Sequence, residues 1–394
     1  LGALDFWVYA PLVMIPEIDT VPVVELASGD RLSIQIYKFV GSQPGNAVYI
    51  QSNLHGAEIA GNAVIHQLIE QLVAIESEQL TGEIRLVPVC NPMSTNQRSH
   101  QFSSGRYYGY NGQDWNRIFW DYEQTGADIA EFARSQLGLS ASTIKQNYRR
   151  QIRAAFETLL EEIESPSSAS LTDRYRYQLQ SLCLDADCVL DLHSSTNQAI
   201  DYLYCFRGQE ESAKAFLFDR GILFDTYDGN AFDEAFLKPW LVLEQQFERL
   251  GSPMQFGLES WTLELGSGMQ MNPESVRRGV RGILNYLACR GSLKIANFPI
   301  PETADLAMQF TWKSQLQKYY APRGGMIQSR VAIGTVVEAG QTLYKILCFN
   351  RGEQQPEQVE VQAQKPGLVF DISTNQSVNQ GEYILEIMES DARN

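Results

Sequence analysis

Two histidines and one glutamate have the types and the placement of a metal site. His55 and Glu58 stand three residues apart in SNLHGAEIAG, directly after the apolar run AVYIQ, and His193 closes a second apolar run in VLDLHSS. Two imidazoles and one carboxylate are the donors of a hydrolytic zinc site, which takes three protein ligands and leaves a fourth position open. A pair three apart at a strand end, leading into a helix, can aim both side chains into one cleft. In open α/β sheets such clefts lie outside the carboxyl ends of the strands. The chain has only four histidines, so the alternatives are few. His66 falls on the helix after the first motif and reads as a packing or surface residue, which leaves His100 as the other candidate. The plainer alternative is that the histidines are structural and satisfied by neighbours.

Hydrolysis at such a centre needs a carboxylate that takes a proton from the attacking water and returns it to the leaving amine. Glu264 in WTLELG is the candidate and Glu259 its competitor. Strand alternation puts Leu263 and Leu265 on one side and Glu264 on the other, which by itself favours a solvated face over a cleft. A long loop, NQRSHQFSSGRYYGYNGQDWNRIFW, holds Arg98, Arg106, Asn116 and Arg117. Guanidinium forks pair with carboxylates and can stabilise a developing oxyanion. Scattered arginines on a surface loop are the plainer reading, but a loop this long and rich in Gly, Tyr and Asn suits function at least as well.

These residues need a scaffold that gathers strand ends at one edge. Residues 22 to 40 and 47 to 53 alternate or run apolar with β-branched and aromatic residues, as strands do. From Ala60 the apolar positions Val64, Ile65, Leu68 and Leu72 recur at helical spacing. EIRLVPVCNP then reads as a buried strand. Strand, helix, strand alternation predicts an α/β fold with a mostly parallel mixed sheet and helices on both faces. Residues 126 to 182 are polar with helical periodicity and read as a helical insertion. PESVRRGVRGILNYLACRG is an amphipathic helix ended by glycine. The expected division is a hydrolase domain over 1–296, a proline-bearing linker over 297–317 and a β-rich region over 318–394. That tail holds two loosely similar halves, each with an early glycine, a valine before a glycine turn (VVEAGQ, SVNQGE) and a closing strand. They predict a small all-β barrel-sandwich domain built from two hairpin units.

With 47 acidic and 31 basic residues the formal charge is −16, which argues against a nucleic-acid partner. Six cysteines without a CxxC pair read as reduced and structural. The apolar N-terminal stretch lacks a basic leader region, and no run is long enough to span a bilayer. A cytoplasmic protein is the expectation.

HGAE, NP followed by an arginine, DWNR, DLHSS and TLELG occur in an order that resembles the succinylglutamate desuccinylase/aspartoacylase family of zinc carboxypeptidase-like proteins. The resemblance runs from about Leu54 to Gly266, and the tail resembles the β-barrel module of that family. It implies that His55, Glu58 and His193 bind one Zn2+, that Glu264 is the general acid/base, and that Asn116 and Arg117 hold a substrate carboxylate. An arginine after the NP turn would polarise the scissile carbonyl, with Arg98 the better match and Arg106 second. Trp115 departs from the family's usual leucine, and the Arg98–Asn116 stretch is longer than usual. The tail also resembles biotinyl or lipoyl carriers, but Lys345 and Lys365 flank strands and neither sits at a hairpin tip as an attachment lysine would. The expected activity is hydrolysis of an N-acyl amino acid or similar small carboxylate-bearing substrate. A metallocarboxypeptidase acting on short peptides, or a non-catalytic binding protein of the same fold, is the alternative. The expected partners are that small molecule, neither nucleic acid nor membrane, with a homo-oligomer left open.

Overall fold

The computed structural model describes residues 14–98, 103–165, 169–227, 229–300, 308–349 and 355–389. Its main sheet begins with β1 (Glu17–Glu25), β2 (Arg31–Val40), β3 (Gln43–Ser52) and β4 (Thr81–Val87), with α1 (Ala60–Val73) between the last two. The short α2 (Pro92–Thr95) follows, then α3 (Ile129–Ser135), α4 (Ala141–Glu164) and α5 (Leu171–Ser181), which fill the block expected as a helical insertion. β5 (Cys188–Ser195), the two-residue β6 (Gln198–Ala199), β7 (Asp201–Cys205), α6 (Glu210–Lys214) and β8 (Arg220–Leu223) come next. α7 (Phe232–Arg249), β9 (Glu259–Ser267), α8 (Pro273–Cys289) and β10 (Gln309–Trp312) complete this part.

The nine strands lie in the order β1-β2-β4-β3-β5-β9-β7-β8-β10. Its centre, β4-β3-β5-β9, is parallel, while β1, β2 and β7 join antiparallel. Parallel strands need crossovers, and the crossovers here supply the helices that cover both faces. Alternation assigns the faces residue by residue. Leu190 and Leu192 of β5, with Trp261, Leu263 and Leu265 of β9, join the core that also holds Val64 and Leu68 of α1 and Ile283 and Leu287 of α8. Val189 of β5 packs on the opposite face with Tyr175 and Leu179 of α5 and Phe232 and Ala235 of α7. Gly61 lets α1 lie close, since a side chain there would collide with Ser52 and Leu192.

The stretch 297–317, expected as a linker, is described at 297–300 and 308–317. Within it β10 pairs parallel with β8 and becomes the last strand of the main sheet, because QFTW is apolar enough to close that edge. β11 (Leu316–Tyr320) also starts inside it.

The remaining strands are β12 (Gly325–Arg330), β13 (Val336–Val337), β14 (Thr342–Cys348), β15 (Glu357–Gln362), β16 (Gly367–Ile372), β17 (Ser377–Val378) and β18 (Tyr383–Glu389). The two halves seen in the sequence are the triplets β12-β13-β14 and β16-β17-β18, and they interlock. β13 pairs with β16 of the other half, and β17 pairs with β12. Gly325 and Gly367 are equivalent: a Cβ on either would collide with a carbonyl of the strand beside it, Leu347 or Met388. Neither half can bury its apolar face alone, so the two share one core around Ile346, Val369 and Ile387. This region meets the chain that follows β5 where β6, which lies outside the nine-strand order, pairs with β16. Among the described residues no helix is long and apolar enough to cross a membrane. The six cysteines are all free, and only Cys289 is exposed.

Candidate metal centre and cleft

The carboxyl end of β3 breaks sharply at Asn53, whose φ of +69° lies in the left-handed region that asparagine tolerates better than most residues. Its side-chain amide donates to the carbonyls of His55 and Gly56 at 3.0 and 3.1 Å and clamps the turn. Gly56 passes against α2, where a side chain would strike the Ser94 carbonyl. That close approach fixes His55 and Glu58 at the mouth of the sheet, both buried.

His193 reaches the same edge from β5. Asp191 and His193 share one face of that strand, two residues apart, and in the parallel register His193 stands opposite Glu264 of β9. His55 turns Nδ1 to Glu58 Oε1 at 2.9 Å, and His193 turns Nδ1 to Glu58 Oε2 at 2.7 Å. Ligand atoms of the three residues lie within 4.8 Å of one another. Each far nitrogen faces a carboxylate. His55 Nε2 donates to Asp114 Oδ1 at 3.1 Å, and His193 Nε2 lies 2.9 Å from Asp191 Oδ2. Carboxylates behind ligating histidines fix ring orientation and raise donor strength.

The electrostatics favour a cation between these side chains. Burial works against a charge on His55, yet Glu58 and Asp114 raise its pKa above the usual histidine value. For His193 burial is likewise outweighed, by Asp191 and Glu58. Burial would raise the Glu58 carboxyl, but the two imidazoles hold it well below the carboxylate range. The buried carboxylates of Glu58 and Asp191 and the half-buried one of Asp114 thus draw positive charge to the point where two imidazole nitrogens and a carboxylate oxygen converge. The donor set and its buried anionic backing fit a metal ion.

Glu264 faces the cleft, resolving the choice that strand alternation left open. Its carboxyl is pushed up to about 7 by burial, which His193 opposes and Glu58 reinforces. Glu259 is at the other end of β9. There it accepts hydrogen bonds from Tyr286, Ser212 and Arg290, a structural network away from the metal cluster.

The arginine loop brings Arg106, not Arg98, to the site. Tyr107 and Asp114 bridge as in a small hairpin, and Ala57 donates to the Ser104 carbonyl, so the loop rests on the HGAE turn. Arg106 Nε lies 3.0 Å from Asp114 Oδ2, and its Nη1 lies 3.8 Å from Glu58 Oε1. Burial would raise the Asp114 carboxyl, but His55 and Arg106 bring it down to about 2. Arg98 is exposed, and its guanidinium donates to the carbonyls of Thr95 and Gln97 at 2.8 Å each. Those local carbonyls keep it out of the cleft, whose lining does not include it. Asn116 and Arg117 do line the cleft. Asn116 Oδ1 accepts from the Phe232 amide at 2.9 Å. Trp115 is buried between Tyr108 and Tyr175. His66 is exposed, 3.8 Å from Glu70, and His100 lies outside the described residues.

Two groups of site residues escaped the sequence reading. Asp191 had a usable signal, since a residue two before His193 must share its face. Asp114 stood in the DWNR motif itself. The second group, Lys318, Tyr383, Asp371 and Glu386, walls the cleft from the C-terminal region, and nothing local in the sequence points to it. Asp371 ties that wall to the end of β5, accepting from Ser195 Oγ, from Asn197 Nδ2 at 3.1 Å and from Tyr383 Oη at 2.6 Å.

A family model for the succinylglutamate desuccinylase/aspartoacylase catalytic domain matches residues 44–290. A solved protein from Shewanella amazonensis SB2B, assigned to that family, is 31% identical with a TM-score of 0.83, covering 94% of this chain and 98% of its own. One from Shewanella frigidimarina NCIMB 400, named for the same family, is 29% identical with a TM-score of 0.85 over 96% and 98%. The product-bound ectoine utilization protein EutE (DoeB) from Ruegeria pomeroyi is 16% identical, with a TM-score of 0.64 over 97% and 98%, a likeness of fold. No curated protein sequence matches the chain.

Proposed function

The chain belongs to the succinylglutamate desuccinylase/aspartoacylase family of deacylases, and from that premise we propose that it is a zinc-dependent hydrolase of the amide bond in an N-acyl amino acid or similar small carboxylate-bearing compound. The observation that carries this reading is the convergence of His55, Glu58 and His193 within 4.8 Å, with Glu264 opposite His193 on the neighbouring strand. Those three side chains would hold zinc, which would supply Lewis acidity toward the carbonyl and toward a water at the open position.

The protein's own groups then have defined tasks. Glu264, with its carboxyl raised to about 7, accepts the proton of the attacking water and passes it to the departing amine, so a value near the working pH serves both steps. Arg106 carries a fixed positive charge beside Glu58 and stabilises the oxyanion as the carbonyl carbon becomes tetrahedral. Asp114 keeps that guanidinium in place. Arg117 and the Asn116 side-chain amide anchor the substrate carboxylate at the rim. Asp233 accepts from Thr262 Oγ1 at 2.8 Å and so steadies the strand that carries Glu264.

The C-terminal wall supports small substrates over peptides, because a long chain leaving the site would meet Tyr383, Glu386 and Lys318. The test is a panel of N-acyl amino acids and short peptides offered to zinc-loaded protein and to Glu264→Gln. Hydrolysis of N-acyl amino acids is expected, with Glu264→Gln retaining zinc while losing about 10²–10⁴ in rate. Faster cleavage of peptides, or undiminished turnover by Glu264→Gln, would overturn it.

A further inference from the structure

The charged groups of the cleft divide into those already engaged and those left open. Glu58 is shared by two histidines, Arg106 is held by Asp114, Asp233 accepts from Thr262, and Asp371 accepts from Ser195, Asn197 and Tyr383. Glu386 of β18 is different. Its carboxylate lines the cleft and has no hydrogen bond or ion pair among the described residues. Lys318 of β11 stands directly opposite it in the antiparallel register, also lining the cleft, yet the two do not pair within 4.0 Å. Burial pushes the Glu386 carboxyl up to about 7, and Lys318 only partly offsets this.

A half-buried carboxylate without a donor is costly, and a ligand that brings a cationic donor removes the cost. An acidic ligand group in the same place would add like-charge repulsion. Glu264 also lacks a hydrogen-bond or ion-pair partner among the described residues, but it has the proton-transfer task. Glu386 belongs to the wall contributed by the C-terminal region and not to the cluster of His55, Glu58 and His193, so it is free to meet a part of the substrate other than the reacting bond.

We propose that Glu386 is a specificity-determining residue that pairs with an ammonium group, so that the substrate is an N-acyl amino acid bearing a free amine in addition to its carboxylate. The proposal rests on the deacylase reading of the cleft. It distinguishes the chain from deacylases of acidic amino acids, whose substrates would set a second carboxylate against Glu386.

The zinc-loaded full chain is assayed with Nα-acetyl-L-ornithine, with Nα-acetyl-L-norleucine, in which a methyl replaces the ammonium, and with Nα-acetyl-L-glutamate. The expected kcat/KM is at least about tenfold higher for the ornithine than for the norleucine compound, about 1.4 kcal/mol. Glu386→Gln should bring that ratio to about one, and Glu386→Lys should shift preference to the glutamate compound. A purely structural role would lower all three together and leave the ratio intact; that result overturns the proposal. Wild-type protein that prefers the norleucine or glutamate compound overturns it too, while leaving the deacylase reading standing. Failure to hydrolyse any of the three while other N-acyl amino acids of the panel are cleaved overturns the proposal alone; failure across the whole panel removes both.

Discussion

Replacing Asp114 with asparagine separates two tasks that one carboxylate performs. Its Oδ1 accepts from His55 Nε2 at 3.1 Å and its Oδ2 meets Arg106 Nε at 3.0 Å. Asparagine keeps the shape and one acceptor. The other oxygen becomes an NH2 group and the charge is lost, so one of His55 and Arg106 faces a donor while the other keeps only a neutral acceptor. Carboxylates behind ligating histidines are worth about 10- to 100-fold in metal affinity, or about 1.4–2.7 kcal/mol. The Arg106 contact adds about 1.5 kcal/mol, the low end for a charged hydrogen bond because both partners are partly open to solvent. The two share one group and do not simply add. The expected result is a zinc Kd raised about 10- to 100-fold and, at saturating zinc, kcat/KM about tenfold lower because Arg106 is released. Chelator-competition titration reads the first and steady-state kinetics the second. Asp191→Asn is the control, since Asp191 backs His193 at 2.9 Å and holds no arginine: it should weaken zinc without the additional kinetic loss. An Asp114→Asn protein with a zinc Kd within about threefold of wild type would refute the orienting role.

Arg106→Ala should lower kcat about 10²–10³-fold, as removal of an oxyanion donor does, whereas Arg98→Ala should stay within about threefold by the same kinetics; the reverse order would return the role to Arg98. Glu386→Gln should also change stability with pH. The folded carboxyl, at about 7, lies above its ordinary value of 4.5, so its contribution is full below pH 4.5 and is lost as pH rises to about 7. Relative to wild type, Glu386→Gln should therefore gain stability across that interval and hold the gain above it, by at most about 3 kcal/mol. Urea melts at pH 4.5 and pH 8 would show it, and an equal difference at both would contradict the burial argument.

The candidate metal cluster was legible because His55 and His193 follow apolar runs, with Glu58 three residues beyond the first, and a strand end in an α/β sheet is a place with functional meaning. The helical block and the two tail halves were legible for a similar reason, as local periodicity and repeated glycine turns. Glu264 was harder. Alternation placed it opposite the leucines, but whether that face meets solvent or a cleft depends on β5 being its parallel neighbour, which is a tertiary fact. Arg98 and Arg106 could not be ranked from sequence, since the choice depends on Gly56 and Ser94 seating the loop and on Thr95 and Gln97 capturing the wrong guanidinium. The stretch 297–317 looked like a linker because prolines outweighed four strand residues whose partner, β8, is far away in the chain. The C-terminal wall carried no local sign, because Asp371 and Glu386 acquire meaning only once β16 lies against β6.

That last contact has a consequence for the order in which the molecule becomes competent. Ser195 and its partner Asp371 are 176 residues apart, and a ribosome adding about 5–20 residues per second needs roughly 10–35 s to go from one to the other. Within that interval, 107 residues ahead of Asp371, the nascent chain completes His55, Glu58, His193 and Glu264, the candidate reacting centre, while the surface proposed to select its substrates is still unmade. Chemistry is encoded early and discrimination late. Exchange of the C-terminal segment between relatives would then be a route by which substrate choice diverges while the reacting centre stays untouched.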